Sequence, residues 1–451
     1  MDIKDFKNIL FEKAKNYGIN EFELFYQRDK SFSVGIYKGK IEKFKNNSSG
    51  GVSFRAIING KAGYAYSENI NEESVDFIIK SSIENAKIIN SDEKEFIYKG
   101  DNKYPNVNIY NDKLNSYDTD FKVDLAKKLE KTALEYDKRI VSVESCSVGN
   151  SEVETYIANS NGLELSEKSN YAISYISVTA EENGVKKTGG QFWQGKDFGP
   201  VNYVEIAEIA CEKALSMLKG DMMSKGEMNA IFKNEAFADV ITTFLGSFFA
   251  ENVQKGFSLF TREKINQKVA SNCLTIQDLP LLSDGFASCS FDSEGVASFD
   301  KTVIENGVLK TLLYNLKSAD KDGVKSTGNG FKAGFKGTIA TSATNFVIKK
   351  GNLNFEQLVQ TMDKGVIITG LAGLHSGADA ISGNFSLAAE GFFVESGKIV
   401  KPIEQITVSG NFYELIKNIE NIGNDVYFDM VSQRGAVICP SVLVKEINIA
   451  S

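Results

Sequence analysis

Histidine is nearly missing from this chain: 451 residues contain one, His375. A metal site built on two histidines is therefore impossible within one chain, and imidazole catalysis has a single place to occur. Arginine is scarce as well, with five residues (Arg28, Arg55, Arg139, Arg262 and Arg434) among 51 basic ones. Lysine is a flexible point charge and a poorer fork for phosphate than arginine. With a formal net charge of −8 and no basic block, the composition argues against nucleic acid as a partner. The five cysteines (Cys146, Cys211, Cys273, Cys289 and Cys439) are scattered without a CxxC pair, which excludes a zinc knuckle and a disulfide framework. No run of about 18 apolar residues occurs, and the charged start, with Asp2, Lys4, Asp5 and Lys7, leads into no apolar signal core. These absences predict a cytoplasmic protein with no membrane partner.

What is present is a repeating alternation of helical and strand-like periods. Ile3, Phe6, Ile9, Leu10, Ala14 and Tyr17 recur at three and four, with Gly18 as the stop. Residues 21–67 then switch to period two, in five short runs separated by Lys38-Gly39, Gly50-Gly51 and Asn59-Gly60. That pattern predicts an antiparallel meander of four or five strands. A helix follows, with Asn71 as its cap and Val75, Ile78, Ile79, Ile83 and Ala86 on one face. The same grammar repeats. A helix is expected near 119–136, strands near 140–148, 152–159, 162–167 and 171–182, and a helix near 203–219. The second half is glycine-rich and strand-heavy. It opens with a strand near 228–233 and a helix near 235–253, whose apolar stripe includes Phe237, Val240, Ile241, Phe244, Leu245, Phe248 and Phe249. Further strands are expected near 303–314, 338–348, 390–400 and 404–410, and helices near 355–363 and 412–421. Without a strict βαβ rhythm, the expected class is α+β, with mixed or antiparallel sheets and flanking helices. Two domains are expected: residues 1–222, divisible near 100–117, and residues 223–451, with Gly220 to Gly226 as the boundary.

Three sets of residues could carry chemistry. His375, among small residues in Gly370–Gly377, reads first as a histidine bonded to its own loop, since no GxSxG elbow supplies a nucleophile. The glycine series from Ser326 to Gly330 lacks the GK[ST] and the strand–loop–helix order of a phosphate cradle, and reads as a tightly turned or mobile loop. Asp284, Asp292, Glu294, Asp379, Glu390 and Asp425 lie beside glycine-containing turns. Taken singly they read as solvated or capping residues, although two of them could form an acid/base pair or an oxygen-ligand metal site.

Several stretches carry a resemblance. Phe291-Asp-Ser-Glu-Gly295, Ile304-Glu-Asn-Gly-Val-Leu309, Ser326-Thr-Gly-Asn-Gly330, Ser382-Gly-Asn-Phe-Ser386, Glu390–Lys398 and Ile422-Gly-Asn-Asp425 resemble the TldD/PmbA family of metallopeptidases, also described as modulators of DNA gyrase. The stretches around His375 and Ser382 are similar to its PmbA (TldE) branch. In the TldD branch an HExxxH motif and a later cysteine bind zinc. Matched through Lys255–Phe260, that motif falls on Ile241–Gly246, so Ile241 and Gly246 occupy the histidine positions and Thr242 that of the glutamate. None of these side chains can ligate zinc or act as base. Cys439 reads as an apolar strand end. The resemblance implies a chain without zinc or other cofactor of its own and without catalytic residues of its own. It implies pairing with a zinc-bearing TldD-like sister subunit, or with itself, around unfolded peptide substrates. It also makes His375, Ser376, Ser382 and Asn384 candidates for the substrate channel. The residues themselves leave open a self-sufficient metal-independent hydrolase and a homodimeric peptide-binding module.

Overall fold

A computed structural model describes residues 1–89, 95–223, 225–432 and 435–450. Ser224, inside the expected domain boundary, and Arg434 lie outside the described residues. The chain is α+β and is organised around two large sheets.

The first part contains α1 (Ile3–Asn16), β1 (Glu21–Tyr37), β2 (Lys40–Ile58), β3 (Lys61–Ser67) and α2 (Glu72–Ile88). It continues through α3 (Thr119–Tyr136), β4 (Ile140–Asn159), β5 (Glu164–Glu182), β6 (Val185–Gly195) and α4 (Tyr203–Ser216). The strands form one antiparallel sheet in the order β3-β2-β1-β4-β5-β6. Period two assigns its faces. Phe22, Leu24 and Tyr26 turn toward α1 and α2, and Val34 and Ile36 toward α3 and α4. Phe25 points the other way and joins Ile157, Leu163, Phe291 and Phe335 in a cluster that ties this sheet to the rest of the chain.

The second part opens with β7 (Gly226–Phe232), α5 (Asn234–Phe244) and α6 (Ala250–Gln254), followed by β8 (Ile276–Asp278), β9 (Lys301–Glu305) and β10 (Val308–Leu309). Next come α7 (Leu316–Asp322), β11 (Gly330–Lys332), β12 (Ile339–Thr341), β13 (Asn345–Ile348), α8 (Phe355–Gln360) and β14 (Lys364–Ala372). It ends with α9 (Leu374–Gly377), β15 (Asn384–Glu395), β16 (Lys398–Asn411), α10 (Phe412–Lys417), β17 (Ile419–Ser432) and β18 (Gly435–Ala450). Its main sheet runs β10-β9-β8-β13-β18-β16-β15-β14-β7, with β17 and β7 also paired to β18. The β13–β18 and β14–β7 pairs are parallel, so this sheet is mixed. Its core is aromatic: the Phe244 and Phe412 rings stack at 4.7 Å, and Phe248 packs on Phe260, Phe346 and Phe412.

Several expectations need correction. The runs expected as separate short strands fuse: residues 21–37 and 40–58 are two long strands, as are 140–159 and 164–182. Gly50-Gly51 is not a turn. It lies within β2, where a Cβ on Gly51 would stand 2.5 Å from the Phe335 ring, so glycine marks close packing. β6 gave no alternating signal, because Gly189 and Gly190 interrupt it. A Cβ on Gly189 would stand 2.2 Å from the Ala210 carbonyl of α4. The single helix expected over 235–253 breaks into α5, a 3₁₀ turn at Leu245–Phe248, and α6.

Candidate functional site

Helix α5 sets two faces against each other. Phe237, Val240, Ile241 and Phe244 are buried in the core. Glu235, Asp239 and Thr242, spaced four and three apart, are only partly buried and make a polar stripe. Ile241 is fully buried with the apolar set. Thr242 lies on the stripe, and its Oγ1 donates to Asp429 Oδ2 of β17 at 3.5 Å. Gly246 falls in the 3₁₀ turn, where its carbonyl accepts from Asn252 Nδ2. The three positions that the resemblance assigns to a metal motif therefore do not share a face here.

The stripe faces a concentration of negative charge. Burial pushes the Asp239 carboxyl up to about 6, helped by the nearby charges of Asp429 and Glu235. Asp429 is raised for the same first reason, countered in part by Thr242. Glu235 is held by both carboxylate oxygens to Lys213 Nζ at 2.7 and 2.8 Å, and the same ammonium donates to Gln191 Oε1 and the Gly190 carbonyl on β6. This bridge joins the stripe to a cleft of about 570 Å³, walled by Phe192, Trp193 and Lys196 on one side and Phe286, Tyr427 and Phe428 on the other. Strand β6 is the outer strand of its sheet, so the cleft combines a strand edge with aromatic faces, an arrangement suited to an extended chain. The stripe was legible as the complement of the apolar face of α5. The cleft was not, because its walls come from segments about 90 and more than 200 residues apart in the chain.

The channel candidates lie elsewhere. His375, Ser376, Ser382 and Asn384 all sit between β14 and the start of β15, and none lines the aromatic cleft. His375 and Ser376 are exposed on α9. Ser382 Oγ donates to Asp379 Oδ2 at 2.8 Å, and Asn384 Oδ1 accepts from Asn411 Nδ2 at 2.9 Å. Cys439 is fully buried in β18, and burial raises its thiol well above the ordinary range. Among the described residues no cluster of three or more His, Cys, Asp or Glu could hold a metal ion.

Two of the turn carboxylates prove to be buried rather than solvated. Asp292 is fully buried and accepts backbone N–H groups from Glu294, Val296 and Gly330, each at 2.9 Å. Among the described residues Glu294, 3% exposed, accepts one hydrogen bond, from the Leu316 N–H at 2.8 Å, the first amide of α7. Burial raises both carboxyls, and Asp292 raises Glu294 further. With three amide donors against one, Asp292 is the better stabilised anion, and Glu294 is the side that keeps a proton. The glycine series from Ser326 is the other half of this frame. Its Gly330 amide serves Asp292. Asn329 bonds Asp278 and Lys301, whose own ion pair is 3.0 Å long and almost completely buried. These glycine-loop amides are committed internally, and the segment is buried rather than a mobile loop.

Family models match the chain in three pieces: PmbA/TldA metallopeptidase domain 1 over residues 22–86, the central domain over 112–218 and the C-terminal domain over 225–451. The metalloprotease PmbA of Escherichia coli O157:H7 is 28% identical, covering 95% of this chain and 92% of its own length. A PmbA homologue of Buchnera aphidicola (subsp. Baizongia pistaciae) is 31% identical over 77% of this chain and 74% of its own. A crystal structure from Thermotoga maritima, described as a candidate modulator of a DNA gyrase, superposes over the whole of both chains, with a TM-score of 0.91 and 32% identity. TldE from Thermococcus kodakarensis shares the fold, with a TM-score of 0.89 at 24% identity over 99% of this chain and all of that one. Among the described residues no helix is long and apolar enough to cross a membrane. The matches cover both sheets and the frame that joins them, and the chain belongs to the PmbA/TldD metallopeptidase family.

Proposed function

We propose that this chain is the PmbA/TldE-like, metal-free subunit of a cytoplasmic TldD/TldE-type metallopeptidase complex acting on unfolded peptides. The observation that carries the reading is the chemistry of the motif positions: Ile241 is buried in the core, and neither Thr242 nor Gly246 offers a zinc ligand. Zinc lowers the pKa of bound water from about 15.7 to about 7, and nothing at these positions replaces that effect. In this reading the zinc belongs to a TldD-like partner, and the aromatic cleft guides an extended substrate toward it. A homodimer is the alternative assembly. The test is co-expression with a TldD-like chain, followed by zinc analysis and cleavage of an unfolded peptide by each chain and by the pair. Stoichiometric zinc in the isolated chain, or partner activity indifferent to this chain, would overturn the proposal.

A second reading, a self-sufficient metal-independent hydrolase, is favoured by one observation. Asp239 and Asp429 approach closely enough for Asp429 to raise Asp239. Chelator-resistant cleavage by the purified chain, abolished in Asp239→Asn, would replace the first reading with this one.

A further inference from the structure

A second cavity, of about 390 Å³, lies where the helix-free face of the first sheet meets the loops and short helices of the second part. Its volume falls within the range of small-ligand sites, roughly 300–1,000 Å³. The wall carries five cationic side chains against three carboxyls, in a chain whose net charge is −8. One of those carboxyls is Glu294, which burial and the Asp292 charge bias toward its neutral form.

The inner wall holds two buried cations, Arg55 and Lys332. The Arg55 side chain is 11% exposed, and its carboxylate neighbours, Glu23 and Glu95, stand 3.5 and 3.7 Å away. A charge-assisted fork forms at about 2.7–2.9 Å, so neither neighbour makes one. Among the described residues Arg55 Nε and Nη2 have no hydrogen-bond partner. Lys332, 4% exposed, is held by the Phe25 and Tyr64 rings, 4.6 and 5.0 Å from its Nζ, and donates to Ser53 Oγ at 3.2 Å. The same wall also carries carbon, from Ala62, Ile339 and the Tyr64 ring. At the mouth Lys321 is exposed.

We propose that this cavity binds a small organic carboxylate, with Arg55 and Lys332 taking the carboxylate group and Lys321 steering it at the mouth. A planar guanidinium matches the two oxygens of a carboxylate, and the apolar wall favours a ligand with a carbon body over an inorganic anion. Two sources share this chemistry: the C-terminal carboxylate of a peptide and a free organic acid.

The test is calorimetric titration of the full chain with trialanine bearing a free C-terminus, the same peptide amidated, glutarate and inorganic phosphate. The expected result is binding of trialanine or glutarate, whichever is tighter naming the source, with the amide and phosphate at least about tenfold weaker. Arg55→Gln is expected to abolish binding. Because that change strands buried Glu23 and can disturb folding, Lys321→Glu at the exposed mouth is the second variant, expected to weaken binding about fivefold at unchanged Tm. No binding of either carboxylate up to about 10 mM, equal binding of the amide or of phosphate, or unchanged affinity in Lys321→Glu would overturn the proposal.

Discussion

Gly330→Ala isolates the packing of the buried motif frame. The residue does not adopt a positive φ, so alanine carries no conformational penalty there. The added Cβ would stand 2.2 Å from Glu294 Oε2, 2.7 Å from its Cδ and 2.9 Å from its Cγ. The clash is relieved only if Glu294 moves, and Glu294 is 3% exposed and anchored by the Leu316 N–H. Overpacking of this kind costs about 1–3 kcal/mol, and a lost hydrogen bond to a buried group about as much. Since the displacement is what breaks the bond, the two costs overlap, and a total of about 2–4 kcal/mol is expected.

At roughly 2–4 °C per kcal/mol for a unit of about 200 residues, the Tm of Gly330→Ala should fall by roughly 4–16 °C. Gly334→Ala is the internal comparison. Its φ is +79° and a Cβ there meets nothing within 4 Å, so it costs only the backbone strain of about 1 kcal/mol. Conformational freedom alone predicts that Gly334→Ala is the worse variant; packing against Glu294 predicts the reverse. Adding Glu294→Ala to Gly330→Ala should recover at least about 1 kcal/mol relative to the sum of the single variants, because the clash is removed. Differential scanning calorimetry of the four proteins measures this. An unchanged Tm in Gly330→Ala, or strict additivity with Glu294→Ala, would refute the reasoning.

Three further outcomes follow from particular residues. Asp239 is raised to about 6 in the fold against about 3.9 unfolded. The folded state therefore holds the proton more tightly, and stability falls as pH rises between those two values, then stays flat above about 6. Asp239→Asn should be more stable than the parent at pH 8 by about 1–2 kcal/mol, after allowance for solvent screening of this half-buried group. The gap should close toward pH 4, and a pH-independent Tm difference would count against it. Replacing Ile241 and Gly246 with histidine should lower stability by about 2–4 kcal/mol, because one imidazole enters a filled core. It should bind no stoichiometric zinc, which metal analysis after dialysis against zinc would show. Lys301→Met strands Asp278 in a buried site, and urea unfolding should register a loss of about 3–5 kcal/mol.

Much of the fold was legible because hydrophobic period and turn chemistry agree locally. Asn59-Gly60, Asn183-Gly184, Asn306-Gly307 and Ser396-Gly397 all sit at positive φ, as tight turns require. The boundaries of α3 were read almost to the residue. What failed was non-local. Gly50-Gly51 and Gly189-Gly190 look like punctuation in sequence, but are places where another element presses against a strand. The break in the helix expected over 235–253 falls at Gly246-Ser247, a local breaker that the continuous apolar stripe masked: Leu245–Phe248 tightens into a 3₁₀ turn among core aromatics. The fate of Asp292 and Glu294 was illegible for the same reason. A carboxylate beside a glycine reads as a solvated turn, and only Gly330, 36 residues beyond Glu294, shows that it is enclosed.

The distribution of the recognisable motifs has a consequence for what family membership means in this chain. Phe291–Gly295 and Ser326–Gly330 are joined by the Gly330 amide to Asp292 and by the Ser293 N–H to the Gly330 carbonyl at 2.8 Å. The Phe291 side chain packs in the cluster that ties the first sheet to the second part. These residues build the junction between the two parts, so sequences that share them share an architecture whatever their chemistry. The positions that the resemblance matches to a metal motif lie in a separate element, on α5 and the turn after it, where Ile241 packs as an ordinary core residue. Changes at Asp292, Glu294 or Gly330 should therefore act on stability through the junction, whereas changes at Asp239 and Thr242 should act on the contact of α5 with Asp429 of β17 while the junction holds.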